Sequence, residues 1–359
     1  MSFYTQDNDH SAVTGGIGTE YLQVYTVDLM MNWKKDSVRA IDFDLGADII
    51  SSASTDNIDF VVSSASKEDI RTHLGLGYTR FLTSRTIVGI NTTGSIESDY
   101  TSWNLGLTIG HVSRDQSQEW SVNVQTFFDD LRWGRFENGR PQKLIYPQEL
   151  RNKKWFDDYR RNSFNVEFSF FQTINKRTAL GIMPAVIYQK GLLSTPFHRV
   201  YFTDDSERVE NLPGERWKIP VAIQLNRFIG SQFILKATYR YYWDDFGISA
   251  HTLTMEVPIK FSAVWTLLPS LRFYTQTNAD FFKPYKKHDA AQEFYTSDYD
   301  LSNFNSYKIG MGFRYAPYAV KRKTIFNEIE TRYSLYLRSD GLVAHMLSVY
   351  IQYSKEKNH

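Results

Sequence analysis

Along most of this chain apolar and polar residues alternate one at a time. Residues 41–49 read Ile-Asp-Phe-Asp-Leu-Gly-Ala-Asp-Ile, so Ile41, Phe43, Leu45, Ala47 and Ile49 share one face and Asp42, Asp44 and Asp48 share the other. A period of two belongs to an extended strand, and three carboxylates on the second face mean that face is wet. The pattern recurs. Trp103, Leu105, Leu107 and Ile109 oppose Asn104, Gly106, Thr108 and Gly110; Leu253, Met255, Val257, Ile259 and Phe261 oppose Thr252, Thr254, Glu256 and Lys260. Tyr307, Ile309, Met311 and Phe313 oppose Lys308, Gly310, Gly312 and Arg314, and near the end Leu347, Val349, Ile351 and Tyr353 oppose Met346, Ser348, Tyr350 and Gln352. These segments reach the ~9–11 residues of a tilted membrane crossing, longer than the usual strand of a soluble sandwich. The expected fold class is all-β, a transmembrane antiparallel outer-membrane barrel with one side of each strand in lipid and the other in a wet lumen.

The alternation predicts strands over 20–33, 38–50, 70–82, 85–92, 100–112, 119–129, 162–172, 178–188, 217–228, 232–243, 248–265, 268–278, 304–315, 325–338 and 342–353. Short links, such as Lys34–Ser37, Thr83–Ser84, Ile229–Ser231 and Thr266–Leu267, largely alternate with long ones: Ser51–Asp69, Asp130–Arg161, Gln189–Arg216 and Ala279–Asn303. Short periplasmic turns and long extracellular loops alternate in this way. The odd count conflicts with the even number usual in bacterial barrels. A further strand whose outer end is Ser2-Phe3-Tyr4-Thr5, followed by a surface loop Gln6–Thr19, makes sixteen; fourteen follows if a candidate fails. No basic and apolar leader stands at Met1, so the chain reads as one barrel domain over 1–359 in mature or trimmed form, its first strand truncated.

Composition narrows the function classes. Aromatics make 16% of the 359 residues, yet mean hydropathy is −0.42, as single-residue alternation requires. There is no cysteine, which excludes a disulfide framework, thiolate metal sites, iron–sulfur clusters and thioether-bound haem, so no cofactor is held covalently through sulfur. No apolar run approaches the ~18 residues of a spanning helix. A net charge of +1 leaves no nucleic-acid footprint. Tyr239, Tyr241, Trp243 and Tyr333 on outward faces, with Trp33 and Trp217 at strand ends, suit the aromatic girdles of a bilayer.

Several stretches carry a family resemblance. Tyr4–Glu20 contains His10-Ser11-Ala12-Val13-Thr14-Gly15-Gly16; further on stand Ser52-Ala53-Ser54-Thr55-Asp56-Asn57-Ile58-Asp59, Ser194–Phe202, Tyr239–Ile248 and Tyr295-Thr296-Ser297-Asp298-Tyr299-Asp300-Leu301-Ser302. Together they resemble an uncharacterised outer-membrane barrel family, a domain of unknown function, of Bacteroidetes and some proteobacteria. The resemblance implies genes nearby for a small lipoprotein, a thioredoxin-like protein and an extracytosolic flavin transferase, and hence an envelope redox system. It does not make this cysteine-free chain the redox carrier.

Candidate chemistry lies in the loops and lumen. Gly15-Gly16-Ile17-Gly18 follows no βαβ strand and opens no helix, so it reads as a tight loop across the mouth rather than a nucleotide fingerprint. The carboxylates Asp56, Asp59, Asp298 and Asp300 sit in oxygen-rich segments of the kind that can bind calcium, although none matches an EF-hand and loop hydrogen bonding explains them equally. The histidines show no paired ligand spacing, but a long-range site could bring His10 and His198 together at the mouth. Ser11 beside His10 is no oriented nucleophile and base, so no catalytic residue is assigned and a surface hydrolase ranks below the other readings. Asp28, Asp42, Asp44 and Asp48 point into the lumen from two adjacent strands. Lys236, Arg240, Glu256, Lys260, Arg272, Lys308, Arg314, Glu328, Glu330 and Arg332 point in from the other half. These either form an interior salt-bridge network or set a transverse field across a pore. His10, His198 and Arg199, with Trp133 and Trp155 in an aromatic-rich loop, are candidates for a plug or a partner contact. The expected localisation is integral to the bacterial outer membrane, against lipid and lipopolysaccharide. The leading expectation is a non-enzymatic scaffold or conduit that holds an envelope lipoprotein or redox partner; the alternative is a gated channel for small polar solutes.

Overall fold

A computed structural model of the 359-residue chain describes residues 1–52, 69–97, 100–131, 136–137, 140–141, 159–195, 198–317 and 324–355. The strands are β1 (Ser2–Asn8), β2 (Glu20–Lys34), β3 (Arg39–Ser52), β4 (Asp69–Phe81), β5 (Thr86–Ile96), β6 (Thr101–Val112), β7 (Gln118–Asp130) and β8 (Arg160–Asn175). They continue as β9 (Thr178–Gly191), β10 (Glu215–Ile229), β11 (Phe233–Asp244), β12 (Ser249–Glu256 and Ile259–Lys260), β13 (Trp265–Leu267 and Ser270–Gln276), β14 (Phe304–Tyr315), β15 (Thr324–Arg338) and β16 (Val343–Lys355). Every strand pairs antiparallel with its chain neighbours. β1 closes the ring, pairing Ser2–Asn8 with Thr26–Glu20 on one side and Ser2–Asp7 with Ser348–Val343 on the other. The result is a closed antiparallel barrel of 16 strands, with no sheet edge left open.

The wall is built from the alternation. Tyr25, Val27, Leu29, Met31 and Trp33 of β2 are all about half exposed on one side, as are Tyr307, Ile309, Met311 and Phe313 of β14. Such a face is unusual against water and ordinary against lipid. Trp33, Phe261, Trp265 and Tyr353 ring the short-turn base, and Tyr21, Trp103, Trp217, Trp243 and Tyr307 ring the loop-bearing mouth, giving two girdles. Two outward histidines find local partners: Tyr239 Oη lies 2.7 Å from His251 Nδ1 and Tyr333 Oη 2.7 Å from His345 Nδ1. The polar tips satisfy each other on the lipid side.

One stretch departs from the predicted elements. The expected unbroken strand 248–265 ends early, and its reversal falls over Phe261–Val264 rather than at Thr266–Leu267. Pro258 and Pro269 supply no backbone N–H and split both strands. Their carbonyls still accept from Ile234 and Val257, so the wall stays continuous. The segment taken as the outer end of a further strand runs on through Asn8, because its alternate residues find partners on both flanks.

Among the described residues, the largest fully buried side chains, Phe202, Phe246, His288, Glu210, Val200 and Val209, all lie at the mouth, none in the barrel wall. A barrel facing lipid outside and water inside has no dry interior of its own. The dry core is made by the loops and the strand end beneath them: Val200, Phe202 and Tyr295 form one cluster, and Leu212, Phe246, Ile248 and Ala279 another with Ala250 of β12.

Candidate functional site

Three connections meet over the mouth. The first follows β1, and its Gly15, Gly16 and Gly18 all have positive φ (78°, 87° and 82°). A Cβ on Gly16 would sit 2.8 Å from Ser297 O and 2.8 Å from the Tyr299 ring. Only glycine allows that approach, which lets His10 stack flat on Tyr299 at 3.6 Å and place Nδ1 2.9 Å from Gly16 O. Gly16→Ala is expected to cost about 1–3 kcal/mol of local stability through the strained backbone. It should expose the segment after β1 to protease while the barrel stays folded; unchanged protection would refute the close approach.

The second connection, between β9 and β10, folds into a small hairpin of Arg199–Tyr201 against Glu207–Val209. The third joins β13 to β14. Backbone bonds between Asn211 and Tyr295 run both ways, at 3.1 and 2.8 Å, and Thr203 N donates to His288 O at 2.9 Å. Phe202 meets Tyr295 edge-on at 4.9 Å, with the Arg208 guanidinium 4.6 Å above its ring. Together these make an ordered cap. It is anchored to the wall by Asp244 at the end of β11, fully buried, which accepts from Arg216, Tyr242 Oη and the N–H groups of Phe246 and Ile248.

Beneath the cap, against β13–β16 and β1, lies a cavity of about 610 Å³. His10, His198, Asp298 and Asp300 all face it, together with Glu20, Arg272, Lys308 and Arg338. The histidines expected at the mouth thus line one cavity, but they do not meet: His10 belongs to the Tyr299 stack, whereas His198 faces two carboxylates. Its Nδ1 lies 3.8 Å from Glu210 Oε1 and 3.7 Å from Asp298 Oδ2. Burial alone would pull the His198 imidazole down; its interaction with Glu210, and the charges of Asp298 and Glu20, outweigh this and push it up to about 9. Burial raises Asp298 to about 6 against the opposing pull of His198.

The pairing of Asp298 with Asp300 as oxygen ligands is not assembled. Asp298 Oδ1 accepts from Asp300 N at 2.9 Å, and the Asp300 carboxylate turns away to Arg338, which also grips Asp340. Two residues apart around a tight turn, the two carboxylates point to different partners. Arg199 is buried in the cap hairpin. Glu210, second partner of His198, had no signal in the sequence, since a lone glutamate in a loop carries no pattern. Asp56, Asp59, Trp133 and Trp155 lie outside the described residues.

The lumen below carries opposite charges on opposite sides. Asp42, Asp44 and Asp48 face inward from β3 and Asp28 from β2; Arg71 lies 3.6 Å from Asp48, and His73 lies 3.8 Å from Asp28 and 3.5 Å from Asp44. In a ring of sixteen, β3 and β11 stand eight strands apart, so Lys236 and Arg240 face the aspartates across the bore. On that side Glu256 holds Lys236 at 3.3 Å and Arg332 at 2.6 Å, Glu330 also holds Arg332, and Glu328 holds Arg314 at 2.6 Å. Among the described residues no carboxylate lies in ion-pair contact with Arg240, Lys260, Arg272 or Lys308. One set of lumenal charges is thus locked in ion pairs, and another has no ion-pair partner among the described residues.

A family model, described as a protein of unknown function (DUF3570), matches residues 47–344. The chain belongs to the DUF3570 family. Among solved structures, DUF3570 as represented by this chain is similar to the outer membrane protein OpdK from Pseudomonas aeruginosa at 7% identity, covering 98% of each chain with a TM-score of 0.43. It is also similar to a BenF-like porin from Pseudomonas fluorescens Pf-5 at 8% identity, covering 98% of this chain and 97% of that one, TM-score 0.44. The TodX monoaromatic hydrocarbon channel matches at 10% identity over 99% and 89% of the two chains, TM-score 0.47. Comparison with curated proteins gave no match.

Proposed function

We propose that this DUF3570 barrel is a loop-capped channel for small polar solutes that carry an anionic group. The observation that supports this most directly is the pair Arg272 and Lys308, which line the cavity beneath the cap without a carboxylate partner among the described residues. A cavity of this size suits a small molecule. Unpaired cations in a narrow, partly desolvated passage attract anions strongly, while the opposing aspartates orient a dipolar solute across the bore. The cap makes the conductance small and gated rather than that of an open pore.

The test is single-channel recording of folded, purified protein in planar bilayers. Small ohmic steps with a reversal potential favouring chloride over potassium are expected, and the double substitution Arg272→Gln with Lys308→Gln should move the selectivity toward cations. Silence from demonstrably folded protein, together with a stoichiometric lipoprotein partner, would replace the channel with the scaffold for an envelope redox system.

A further inference from the structure

The triad in the cap goes beyond the channel reading and does not depend on it. His198 and Glu210 come from the connection between β9 and β10, and Asp298 from the one between β13 and β14. One donor atom from each lies within 4.8 Å of the other two. Glu210 is 2% exposed, and among the described residues no lysine or arginine pairs with it or with Asp298, so two carboxylates share a single imidazole. Burying such charge is costly unless a cation balances it.

Both carboxylates are held from behind. Glu210 Oε2 accepts from Thr195 N at 2.7 Å and Oε1 from Thr296 Oγ1 at 2.5 Å, and Thr296 is itself fully buried. Asp298 is fixed through Asp300 N, and its own N–H donates to Thr296 Oγ1 at 3.0 Å. Carboxylate ligands of metal ions are oriented by supporting hydrogen bonds of this kind. An imidazole nitrogen with two carboxylate oxygens suits a borderline divalent ion rather than calcium, which takes six to eight oxygens. Donors bound at ~2.0–2.2 Å around a tetrahedral ion stand about 3.3–3.6 Å apart, so the two separations from His198, 3.8 and 3.7 Å, need close by only a few tenths of an ångström, and the third, between the carboxylates, starts within 4.8 Å.

We propose that His198, Glu210 and Asp298 bind one divalent transition ion of the zinc class, which ties the two cap loops together above the cavity. His198 and Asp298 also line that cavity, so the ion's remaining position is open to water or to a solute oxygen.

The test uses the full barrel in detergent, stripped with chelator and titrated with zinc, then with cobalt(II) as an optical probe. One equivalent of zinc per chain should bind, with visible cobalt absorption, and calcium in excess should not displace it. His198→Ala should weaken zinc at least about a hundredfold, and Thr296→Val, which leaves the three ligands in place, about tenfold. Heat-modified gel migration identifies folded samples, so loss of binding is scored only on folded barrels. A folded wild-type protein that takes up neither metal, or a His198→Ala variant that binds zinc as the wild type does, overturns the assignment.

Discussion

Asp244→Ala should destabilise the barrel by about 3–5 kcal/mol, the usual cost of removing one partner from a buried ion pair. Asp244 is fully buried and Arg216 is partly buried, its side chain 14% exposed. The substitution strips the guanidinium of its counter-charge and leaves the N–H groups of Phe246 and Ile248, bonded at 3.1 and 3.0 Å, without an acceptor. Arg216 also stacks on the Phe246 ring at 4.4 Å, so losing its position loosens the cap at its root. Asp244→Asn keeps an acceptor and should cost distinctly less. Urea unfolding in detergent, followed by heat-modified migration, measures both. A change under about 1 kcal/mol for the alanine variant would show that water replaces the carboxylate and that this anchor is weak.

Phe202→Ala should cost the cap about 3–5 kcal/mol, as deletions of buried phenylalanine do, while leaving the wall intact. Phe202 is fully buried against Val200 and Tyr295, in a small cluster separate from the one around Phe246. Local opening follows when one connected unit loses its core and the rest keeps its ladder bonds. The variant should therefore show rapid hydrogen exchange in residues 198–212 and 279–297, unchanged exchange in the strands, and larger, noisier conductance steps. Exchange rising equally in cap and wall would mean that the two unfold as one. Unchanged conductance with an opened cap would separate the cap from gating.

The strand plan was legible because a barrel wall writes itself in the simplest possible code. Lipid on one side and water on the other force each residue to declare its face, and Asp42, Asp44 and Asp48 between Ile41 and Ile49 do so without help from the fold. Parity then called for a strand upstream of Glu20, and Ser2–Asn8 occupies that place. The misplaced reversal near 261–264 shows where the code fails: apolar residues continue through a turn at the membrane surface, and two prolines shift the ladder without interrupting the alternation.

Loops obey no period, so their partners are set by folding alone. The sequence determined a barrel, its lipid and lumenal faces, the charged residues that line the bore and the long loops that bear His198, Asp298 and Asp300. Only the tertiary structure decided that His198 meets Glu210 and Asp298, that Asp300 leaves them for Arg338, and that Arg272 and Lys308 remain open. Facing direction is a local property of each strand, dictated by solvent on either side. Contacts between connections more than eighty residues apart, as between Glu210 and Thr296, depend on closure of the ring and on which apolar side chains the cap must bury.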